Sequence, residues 1–580
     1  MRLRASILFL FLGGACSTSP TPGTSAPDAV FPDARAVDAS TPDAGVVDDA
    51  GESADVLASS PDATAEDVGN AVDAGAQGAD AGPAGFDSAR WRRSVIYFAL
   101  TDRFDNGDPL NDGDASCFDP AAPTRFHGGD FAGLRRRLDY LQELGVDTVW
   151  ITPIPKQVPR RGESCGYHGY WADLDDPDDH LLEPRLGSPE DLRGLIADLH
   201  TRGMKLVLDM VVNHAGRMAR IVSTHPDWFH PDNTCANLGP TEVYCSLSGL
   251  PDFAQEVPAV ADYLDQHSRR WVEDFEIDGI RMDTVKHVPV SFFRDHWIPT
   301  VLGVRPSLYL VGEIFDEGSY DPQVSYRAAG FHGFFDFPLR RALIDAVAHA
   351  GSLNPVADRV REAINRFGLE GAALRSTFLD NHDVPRFLTE LPADLSESER
   401  RARMNLALGV VFFTPGIPQL YYGTEIGMTG AYPENRADFP GWAFDPNTRG
   451  AAHPELPDAL DRFSVVQRMI ALRRSISALS LGGYAELWRP GGGANNVYAF
   501  FRSAGDSRVV VAFNGGDRPV NALHLGLRRN GGIGAVDQAA LTDGLPMTER
   551  LGLAATATLS IVQGELILGL PPRSLAVFSP

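Results

Sequence analysis

Residues 278–287 read Asp-Gly-Ile-Arg-Met-Asp-Thr-Val-Lys-His and place two opposite charges, Arg281 and Asp283, two positions apart. Because residues i and i+2 of a β-strand point to the same side, both side chains would emerge together at the end of a strand. The C-terminal ends of strands carry the chemistry in α/β proteins, and an adjacent arginine favours an ionised aspartate. The pair is therefore either a structural ion pair or a carboxylate nucleophile with its supporting cation.

Further acidic and imidazole side chains follow other apolar runs typical of strands: Asp209 with His214, then Glu313, then His382 with Asp383. Each alone could be an ordinary strand-end charge or a buried core histidine. Four such strand ends in succession instead predict that several carboxylates meet at one mouth. Cleavage of a glycosidic bond needs this arrangement, with one carboxylate as nucleophile and one carboxylic acid as proton donor. Imidazoles beside them suit hydrogen bonds to sugar hydroxyls.

The elements that must position these side chains alternate between strand-like and helix-like patterns. Strands are predicted at 95–100, 146–154, 204–212, 308–315, 331–337 and 374–379, and helices at 131–144, 189–203 and 259–275. About eight such repeats over some 390 residues favour a closed parallel barrel over a doubly wound sheet. We therefore predict an α/β protein whose (β/α)8 barrel spans 89–480, with a short irregular insert after its third strand at about 215–258.

The pattern changes after about residue 478. Apolar runs at 497–501, 509–513, 556–562 and 574–578 read as strands with no helices between them. Strands in such succession are typical of antiparallel sheets. We predict a small C-terminal β-sandwich over 481–580.

The first 88 residues have the composition of an export signal and a linker. Residues 1–16 hold two arginines, a short apolar run and small residues before Cys16, which predicts a signal peptide. Its end resembles a bacterial lipoprotein signal, and lipidation of Cys16 and plain cleavage are both open. Residues 17–88 carry fourteen acidic residues, one basic residue and four Pro-Asp-Ala repeats, which predicts a disordered linker. We expect an exported protein, either extracellular or held at the cell surface or outer membrane by a lipid anchor.

Net charge and cysteine content limit the partners and the compartment. The formal net charge of −26 argues against nucleic acid as a partner. In an oxidising compartment the four cysteines after the leader would form two disulfides: Cys235–Cys245, which closes a short loop, and Cys117–Cys165 as the remaining pair. Four free thiols are the alternative. We expect a monomer.

The loop after the first predicted strand is rich in oxygen-bearing side chains. It contains Asn106, Asp108, Asn111 and Asp112 around a glycine. Such a loop suits a calcium ion, which prefers oxygen ligands. Asp, Asn and Gly also form ordinary turns, and on these residues alone the turn is the simpler interpretation.

Taken together and in order, the motifs resemble those of the α-amylase family of retaining glycoside hydrolases, and in particular the bacterial secreted α-amylases. The segments that carry the resemblance are Asp209-Met-Val-Val-Asn-His, Gly279-Ile-Arg-Met-Asp, Gly312-Glu, Phe378-Leu-Asp-Asn-His-Asp, Gly166-Tyr-His-Gly-Tyr-Trp and Leu250-Pro-Asp. The resemblance extends over residues 91–580. It implies a (β/α)8 barrel acting on α-glucans such as starch and maltooligosaccharides.

The resemblance also implies a role for each matching residue. Asp283 resembles the nucleophile that forms a covalent glycosyl intermediate, Glu313 the acid/base, and Asp383 the carboxylate that binds and distorts the sugar. The implied substrate-binding residues are Arg281, which holds the nucleophile, Tyr170, the platform under the sugar ring, and His168, His214, His382, Lys286 and Arg436. In the family an acidic residue often stands four positions before this last arginine; here that position is Tyr432.

Members of this family commonly bind calcium between the barrel and the insert, so the resemblance implies Ca²⁺ as a cofactor. The matching positions are Asn213, Asp252 and the backbone carbonyl of His287. A second calcium site of some relatives matches the early loop, at Asn106, Asp108, Asn111, Asp112, Gly128 and Asp130. For that loop the resemblance favours ion binding over an ordinary turn.

The same resemblance narrows the activity. Lys286 and His287 after the nucleophile, together with Leu250-Pro-Asp252, are typical of enzymes that act on α-1,4-glucans. Cyclodextrin-forming relatives carry a large aromatic residue where this chain has Ser248, which favours hydrolysis over cyclisation. We predict retaining hydrolysis of α-1,4-glucosidic bonds in starch or maltooligosaccharides. The alternative is a transglycosylase or cyclomaltodextrinase that acts on maltooligosaccharides or cyclodextrins. The presence of all three carboxylates argues against a third interpretation, a non-catalytic carbohydrate-binding relative.

Overall fold

The structure is a computed structural model, and it describes residues 85–175, 182–231, 242–451, 453–454, 456–490, 495–526 and 533–580. The predicted signal peptide, nearly all of the predicted linker and Cys235 lie outside these residues, as does part of the predicted insert. Within the described ranges, no helix is both long enough and apolar enough to cross a membrane.

Eight parallel strands form a closed barrel, which confirms the predicted fold. The strands are β1 (Ile96–Ala99), β2 (Thr148–Ile151), β3 (Lys205–Met210), β4 (Gly279–Met282), β5 (Tyr309–Gly312), β6 (Gly333–Phe334), β7 (Ser376–Thr377) and β8 (Ile417–Tyr421). They run in sequence order from β1 to β6, and β8 lies between β1 and β7. A parallel pairing of Phe335 with Ser376 joins β6 to β7 and closes the ring. Every residue of these strands is buried, as is usual where helices cover a parallel sheet.

Helices connect the strands. They are α1 (Ser88–Arg92), α2 (Thr101–Phe104), α3 (Phe131–Arg136), α4 (Leu138–Leu144), α5 (Pro189–Thr201), α6 (Arg220–Thr224), α7 (Pro258–Asp274), α8 (Val290–Phe292), α9 (Ile298–Val304), α10 (Asp321–Ala329), α11 (Phe337–Leu343), α12 (Asn354–Ala373), α13 (Glu397–Phe413), α14 (Pro446–Arg449), α15 (Ala459–Ser475), α16 (Ser477–Leu481) and α17 (Ala535–Ala540). Ser188 caps α5: its Oγ accepts from the amide of Asp191, and the Asp191 carboxylate accepts from the amide of Ser188. This reciprocal pair satisfies donors that the helix itself leaves unpaired.

The single helix predicted at 131–144 is instead two helices, α3 and α4, interrupted at Arg137. The backbone of Arg137 leaves the helical region, with φ −103° and ψ 10°. Its side chain donates to Asp105 at 2.8 Å, and its guanidinium lies 4.2 Å from the ring centre of Phe444. These long-range contacts override the local helical pattern, and a pattern confined to one segment does not contain them.

The C-terminal strands form two packed antiparallel sheets, as predicted. One sheet has the order β13 (Thr548–Glu549), β16 (Ser574–Ser579), β11 (Ser507–Asn514), β10 (Val497–Ala504) and β9 (Ala485–Trp488); the other has β12 (Val520–Gly526), β15 (Glu565–Leu570) and β14 (Thr558–Val562). Alternate residues of β10 face opposite sides. Tyr498 and Phe500 join the barrel's core, whereas Phe501 packs toward the second sheet. Because barrel and sheet share one core, the domain boundary placed at residue 480 stays a prediction.

The predicted disulfide between Cys117 and Cys165 is present, with 5.8 Å between the Cα atoms. It links the loop after α2 to the segment that precedes Tyr170. The second predicted disulfide involves Cys235, which lies outside the described residues.

Candidate active site

The ends of neighbouring strands bring the predicted carboxylates together. Asp209 on β3 lies opposite Arg281 on β4, and Met282 at the end of β4 lies opposite Gly312 at the end of β5. The ladder continues one residue further, because the amide of Asp283 donates to Met210 and the amide of Glu313 donates to Met282, each at 2.9 Å. Asp283 and Glu313 are therefore held on adjacent, hydrogen-bonded backbone rather than on free loops.

The buried guanidinium of Arg281 contacts three carboxyl groups. Its Nη1 donates to Asp283 Oδ1 at 2.7 Å and to Asp209 Oδ1 at 2.9 Å. Its Nη2 lies 2.5 Å from Glu313 Oε1. One positive charge is thus shared by three acidic side chains. In a buried site, ionising all three at once would cost much free energy.

The surroundings of Glu313 favour its protonated form at neutral pH. Burial raises its pKa to about 8, the carboxylates of Asp283 and Asp383 add to the increase, and Arg281 opposes it. The amide of Thr284 lies 3.3 Å from Glu313 Oε2. A protonated carboxyl next to a carboxylate on the same guanidinium is the pairing that acid-assisted nucleophilic displacement requires.

Asp209 is a buried carboxyl group that contacts Tyr170, Trp150 and Arg281. Its Oδ2 accepts from the Tyr170 hydroxyl at 2.8 Å and from Trp150 Nε1 at 3.2 Å, in addition to its bond from Arg281. Burial raises the pKa of Asp209 to about 7, while Arg281 opposes the increase. This carboxylate was predicted at a strand end, without a role of its own. Its position shows that it fixes both Arg281 and the ring of Tyr170.

Asp383 lies in a second cluster after β7. His382 Nε2 is 3.2 Å from one carboxylate oxygen of Asp383, and Arg436 Nη2 is 3.1 Å from the other. Arg436 also donates through Nε to the His382 carbonyl and lies 3.3 Å from the Tyr167 hydroxyl through Nη1. The His382 ring stacks on Tyr170, with 5.3 Å between ring centres, which joins this cluster to the first.

The other two predicted histidines surround Tyr170. The amide of Tyr170 donates to His168 Nδ1 at 3.1 Å, and its carbonyl lies 3.2 Å from His214 Nε2. Burial lowers the pKa of His168, His214 and His382 below the ordinary histidine value, which favours neutral rings. A neutral imidazole can donate one hydrogen bond and accept another, as the recognition of sugar hydroxyls requires.

Lys286 pairs with Glu242, a residue that was not predicted to belong to the site. Its Nζ lies 2.7 Å from Oε2 of Glu242 in the insert, and the Glu242 carbonyl lies 3.0 Å from His287 Nδ1. Sequence periodicity gives no signal for a contact between an irregular insert and the turn after a distant strand.

Phe315 was also missed. It follows Glu313 by two positions, is 40% exposed and packs against Phe337 with 4.4 Å between ring centres. An exposed aromatic ring beside a carboxylate is a surface on which a sugar can stack. The signal was present in the sequence as an aromatic residue just beyond a strand-end carboxylate.

The first predicted calcium position provides a set of converging oxygens. The terminal amide atom of Asn213 that faces Asp252 and His287 lies 3.2 Å from Asp252 Oδ1 and 2.9 Å from the His287 carbonyl. As a nitrogen this atom donates to both; as an oxygen it completes an all-oxygen set of amide, carboxylate and carbonyl, which fits a hard cation. No group of three or more His, Cys, Asp or Glu side chains in the described ranges could hold a metal, so carbonyl and amide oxygens are essential here.

The predicted residues of the early loop also lie together. Asp130 accepts from the amides of Gly107 and Asp108 and from Asn111 Nδ2, and it caps α3 through the amide of Gly133. Asn106 Nδ2 donates to Asp112 at 2.8 Å. The side-chain oxygens of Asn106 and Asn111 are buried without a hydrogen-bond partner among the described residues. A Cβ on Gly128 would lie 2.3 Å from both Asn106 Nδ2 and Asp112 Oδ1, so only glycine fits. Two orphaned amide oxygens beside carboxylates fit calcium.

The chain is similar to a family model and to several known proteins. The family model for the catalytic domain of α-amylase matches residues 98–444. A β/α-amylase of Paenibacillus polymyxa is 28% identical and covers 84% of this chain, which spans only 38% of that protein. An intracellular maltogenic amylase of Bacillus subtilis is 29% identical over 77% of this chain and 73% of that protein.

A solved structure agrees with these matches. The crystal structure of an Anoxybacillus α-amylase superposes with a TM-score of 0.70 at 28% identity, over 84% of this chain and 98% of that one. The family model covers more than half of the present chain, including all eight barrel strands except the first two residues of β1. The chain therefore belongs to the α-amylase family and is a glycoside hydrolase.

Proposed function

We propose that the protein hydrolyses α-1,4-glucosidic bonds in starch or maltooligosaccharides with retention of configuration. The observation that carries the proposal is the position of Arg281 between Asp283 and Glu313, together with the raised pKa of Glu313. One carboxyl group is paired with the guanidinium through a short hydrogen bond. The other keeps a proton at neutral pH. These are the two states that a retaining glycosidase needs before it binds substrate.

In the first step, Asp283 attacks the anomeric carbon while Glu313 transfers its proton to the glycosidic oxygen. The bond from the anomeric carbon to that oxygen breaks, the leaving glucan departs with the proton, and a glycosyl ester forms on Asp283. Negative charge thereby moves from Asp283 to Glu313. Because Arg281 contacts both groups, the site compensates this charge before and after the step without moving a cation.

In the second step, Glu313 acts as the base. It takes a proton from water as the water oxygen attacks the anomeric carbon, and the ester bond to Asp283 breaks. Two inversions at one carbon return the original α configuration. Glu313 regains its proton and Asp283 regains its charge.

The surrounding residues position the sugar. Asp383, held by His382 and Arg436, would accept hydrogen bonds from hydroxyls of the sugar at the reacting carbon. The ring of Tyr170 would lie under that sugar, fixed by its bond to Asp209. On the leaving-group side, Lys286 and the exposed ring of Phe315 are available to the departing glucan.

The alternative activity is that of a transglycosylase or cyclomaltodextrinase acting on short or cyclic maltooligosaccharides. The similarity to a protein named maltogenic amylase favours it. Chromatography of early products from starch, maltoheptaose and a cyclodextrin separates the two. Fastest cleavage of starch supports the first proposal, and fastest cleavage of the cyclodextrin or products longer than the substrate support the alternative.

We also propose structural calcium at both oxygen clusters. Asn213, Asp252 and the His287 carbonyl would hold one ion, and the loop of Asn106 and Asp130 the other. The ions would fix the turn after β4 and the loop before α3 by neutralising carboxylates. They supply no step of the chemistry.

Export and a lipid anchor on Cys16 remain proposals that rest on residues 1–16 alone. The B. subtilis relative is named an intracellular enzyme, so the comparison gives export no support. Mass spectrometry of the mature N-terminus tests both. A diacylated Cys16 supports the anchor, and an unmodified N-terminus downstream of Cys16 contradicts it.

The test of the proposed reaction compares wild type with Asp283→Asn and with a matched control, Asp506→Asn, in an exposed hairpin turn of the sandwich. We expect the first variant to lose several orders of magnitude in kcat on maltoheptaose, because its amide is a poor nucleophile. The control should retain wild-type activity. Proton NMR of the first wild-type products should show the α-anomer. Equal hydrolysis by Asp283→Asn, or a β-anomeric product, would overturn the proposal.

A further inference from the structure

An exposed tyrosine, Tyr432, stands beside the cluster that holds Asp383. It lies between β8 and the short helical turn Glu434–Arg436 and is 46% exposed. Three and four positions further along the chain, Asn435 and Arg436 are buried. The chain therefore presents one large aromatic side chain outward at a point where its backbone turns into the site.

The loop that carries this side chain is firmly held. The amide of Asn435 donates to the Ala431 carbonyl at 2.9 Å, which closes a tight turn around Tyr432. Asn435 Nδ2 donates to the carbonyls of His382 and Val384 at 3.0 and 3.1 Å. At the start of the loop, the Gly430 carbonyl accepts from the amide of Arg386 at 2.9 Å. A ring on such a loop loses little conformational freedom when a ligand stacks on it.

Arg436 connects the ring to the reacting centre. Its guanidinium carbon lies 5.1 Å from the centre of the Tyr432 ring, and its Nη2 lies 3.1 Å from Asp383 Oδ1. The ring centre is therefore within roughly 10 Å of the Asp383 carboxylate, a distance that one or two glucosyl units can bridge. Arg436 cannot move away, because its Nε is bonded to the His382 carbonyl.

We propose that Tyr432 is a sugar-stacking residue for the donor side of the cleft, where it packs against the second or third glucosyl unit on the non-reducing side of the bond that is cleaved. This inference rests on the proposed function, which places the reacting sugar against Asp383. The apolar face of a pyranose ring stacks on an aromatic face. The tyrosine hydroxyl can hydrogen-bond to water at the exposed edge of the ring. Tyr432 thus determines how long a glucan must be to gain full binding, without touching the reacting atoms.

The test uses 4-nitrophenyl α-glycosides with one to five α-1,4-linked glucosyl units, so that only the donor side grows and the leaving group stays constant. Wild type, Tyr432→Ala and Tyr432→Phe are compared by kcat/KM at each length. For Tyr432→Ala we expect a loss that begins at two or three units and reaches roughly 3- to 10-fold at five. Tyr432→Phe keeps the ring and should restore the wild-type profile.

The outcomes separate this proposal from the proposed function. A loss of equal size at every length, or no loss at any length, would overturn the stacking role, since the first indicates an effect through Arg436 alone. If wild type releases no nitrophenol and also leaves maltoheptaose uncleaved, the proposed function fails. Whenever no nitrophenol is released, a binding measurement replaces the kinetic one. Calorimetric binding of maltopentaose then decides the stacking role: three- to ten-fold weaker binding by Tyr432→Ala supports it, and equal binding overturns it.

Discussion

At the scale of single residues, the site depends on one buried cation shared by three acidic groups. Arg281 is fully buried and contacts Asp209, Asp283 and Glu313. Burial penalises every extra negative charge, so the cluster keeps protons on some of its members. The structure assigns one of those protons to Glu313, whose pKa burial raises to about 8. A catalytic acid with a pKa near the working pH both holds its proton and releases it readily.

This charge arrangement predicts the alkaline limb of the activity profile. The proposed reaction uses protonated Glu313 as its acid, so kcat/KM should be retained below the pKa of Glu313 and should fall as the pH rises through about 8. The sign follows from the raised pKa, since an ordinary glutamate would already have lost its proton near 4.5. Initial rates on maltoheptaose from pH 4 to 10 measure the limb. A substrate with a fluoride leaving group needs little acid assistance, so the pH profile of kcat/KM measured with it should not fall near pH 8. An alkaline limb centred near pH 5 with maltoheptaose would contradict the assignment.

At the scale of elements, strand register does most of the positioning. Asp283 and Glu313 each follow the last residue of a strand, and their amides extend the ladder between neighbouring strands. The loops around the barrel mouth are not part of this ladder, so side-chain hydrogen bonds must hold them in place. The loop before α3 is organised on Asp130, which gathers two backbone amides and the side chain of Asn111 while it caps the helix.

The proposed calcium ions predict a stability effect at this scale. A ligand that binds only the folded state raises the unfolding temperature in proportion to the logarithm of its concentration above its dissociation constant. We expect the thermal midpoint to fall by several degrees in excess EGTA and to recover on addition of Ca²⁺ but not Mg²⁺. Differential scanning fluorimetry measures the shift. The variant Asn111→Ala should show a smaller response than wild type, and a midpoint indifferent to EGTA would argue against both sites.

The repeating strands and helices could be predicted from the sequence. The side-chain contacts between these elements could not. Strand ends such as those at Asp283 and Glu313 could be predicted because buried parallel strands read as apolar runs with polar residues just beyond them. The break at Arg137 could not, because its cause is a bond to Asp105 and packing on Phe444. The pairing of Lys286 with Glu242 is of the same kind, since it joins segments without regular pattern.

At the scale of the whole described molecule, the barrel and the C-terminal sandwich share one core. Phe513 and Leu575 on the five-stranded sheet pack with the barrel's residues. Arg502 on β10 is buried and donates to the carbonyls of Leu479 and Gly482, and it lies 3.4 Å from the carbonyl of Phe413 at the end of α13. Burial holds the pKa of Arg502 well below its ordinary value. This side chain joins the sandwich to the barrel through helix-end carbonyls.

That role predicts a strong effect of Arg502→Met on stability. Removing the guanidinium takes this donor from the buried carbonyls of Gly482 and Phe413, whereas Leu479 keeps its bond from Arg473. The loss costs about 3 kcal/mol or more in the free energy of unfolding. Equilibrium denaturation by urea measures the change, with Arg518→Met at an exposed position of the sandwich as the control. Because the core is shared, we expect one transition for both parts. Two separated transitions in wild type would show that barrel and sandwich unfold independently.

The most direct test of the central claim, that Asp283 is the nucleophile, is to trap the glycosyl intermediate and locate it. In Glu313→Gln, α-maltotriosyl fluoride can still react because fluoride leaves without a proton, whereas the following hydrolysis lacks its base. Mass spectrometry of the digested variant should show one maltotriosyl unit on the peptide that contains Asp283, and Asp283→Asn/Glu313→Gln should show none. A maltotriosyl adduct on Asp383 or Asp209 instead, or turnover of the fluoride with no adduct and a β-anomeric product, would contradict the account.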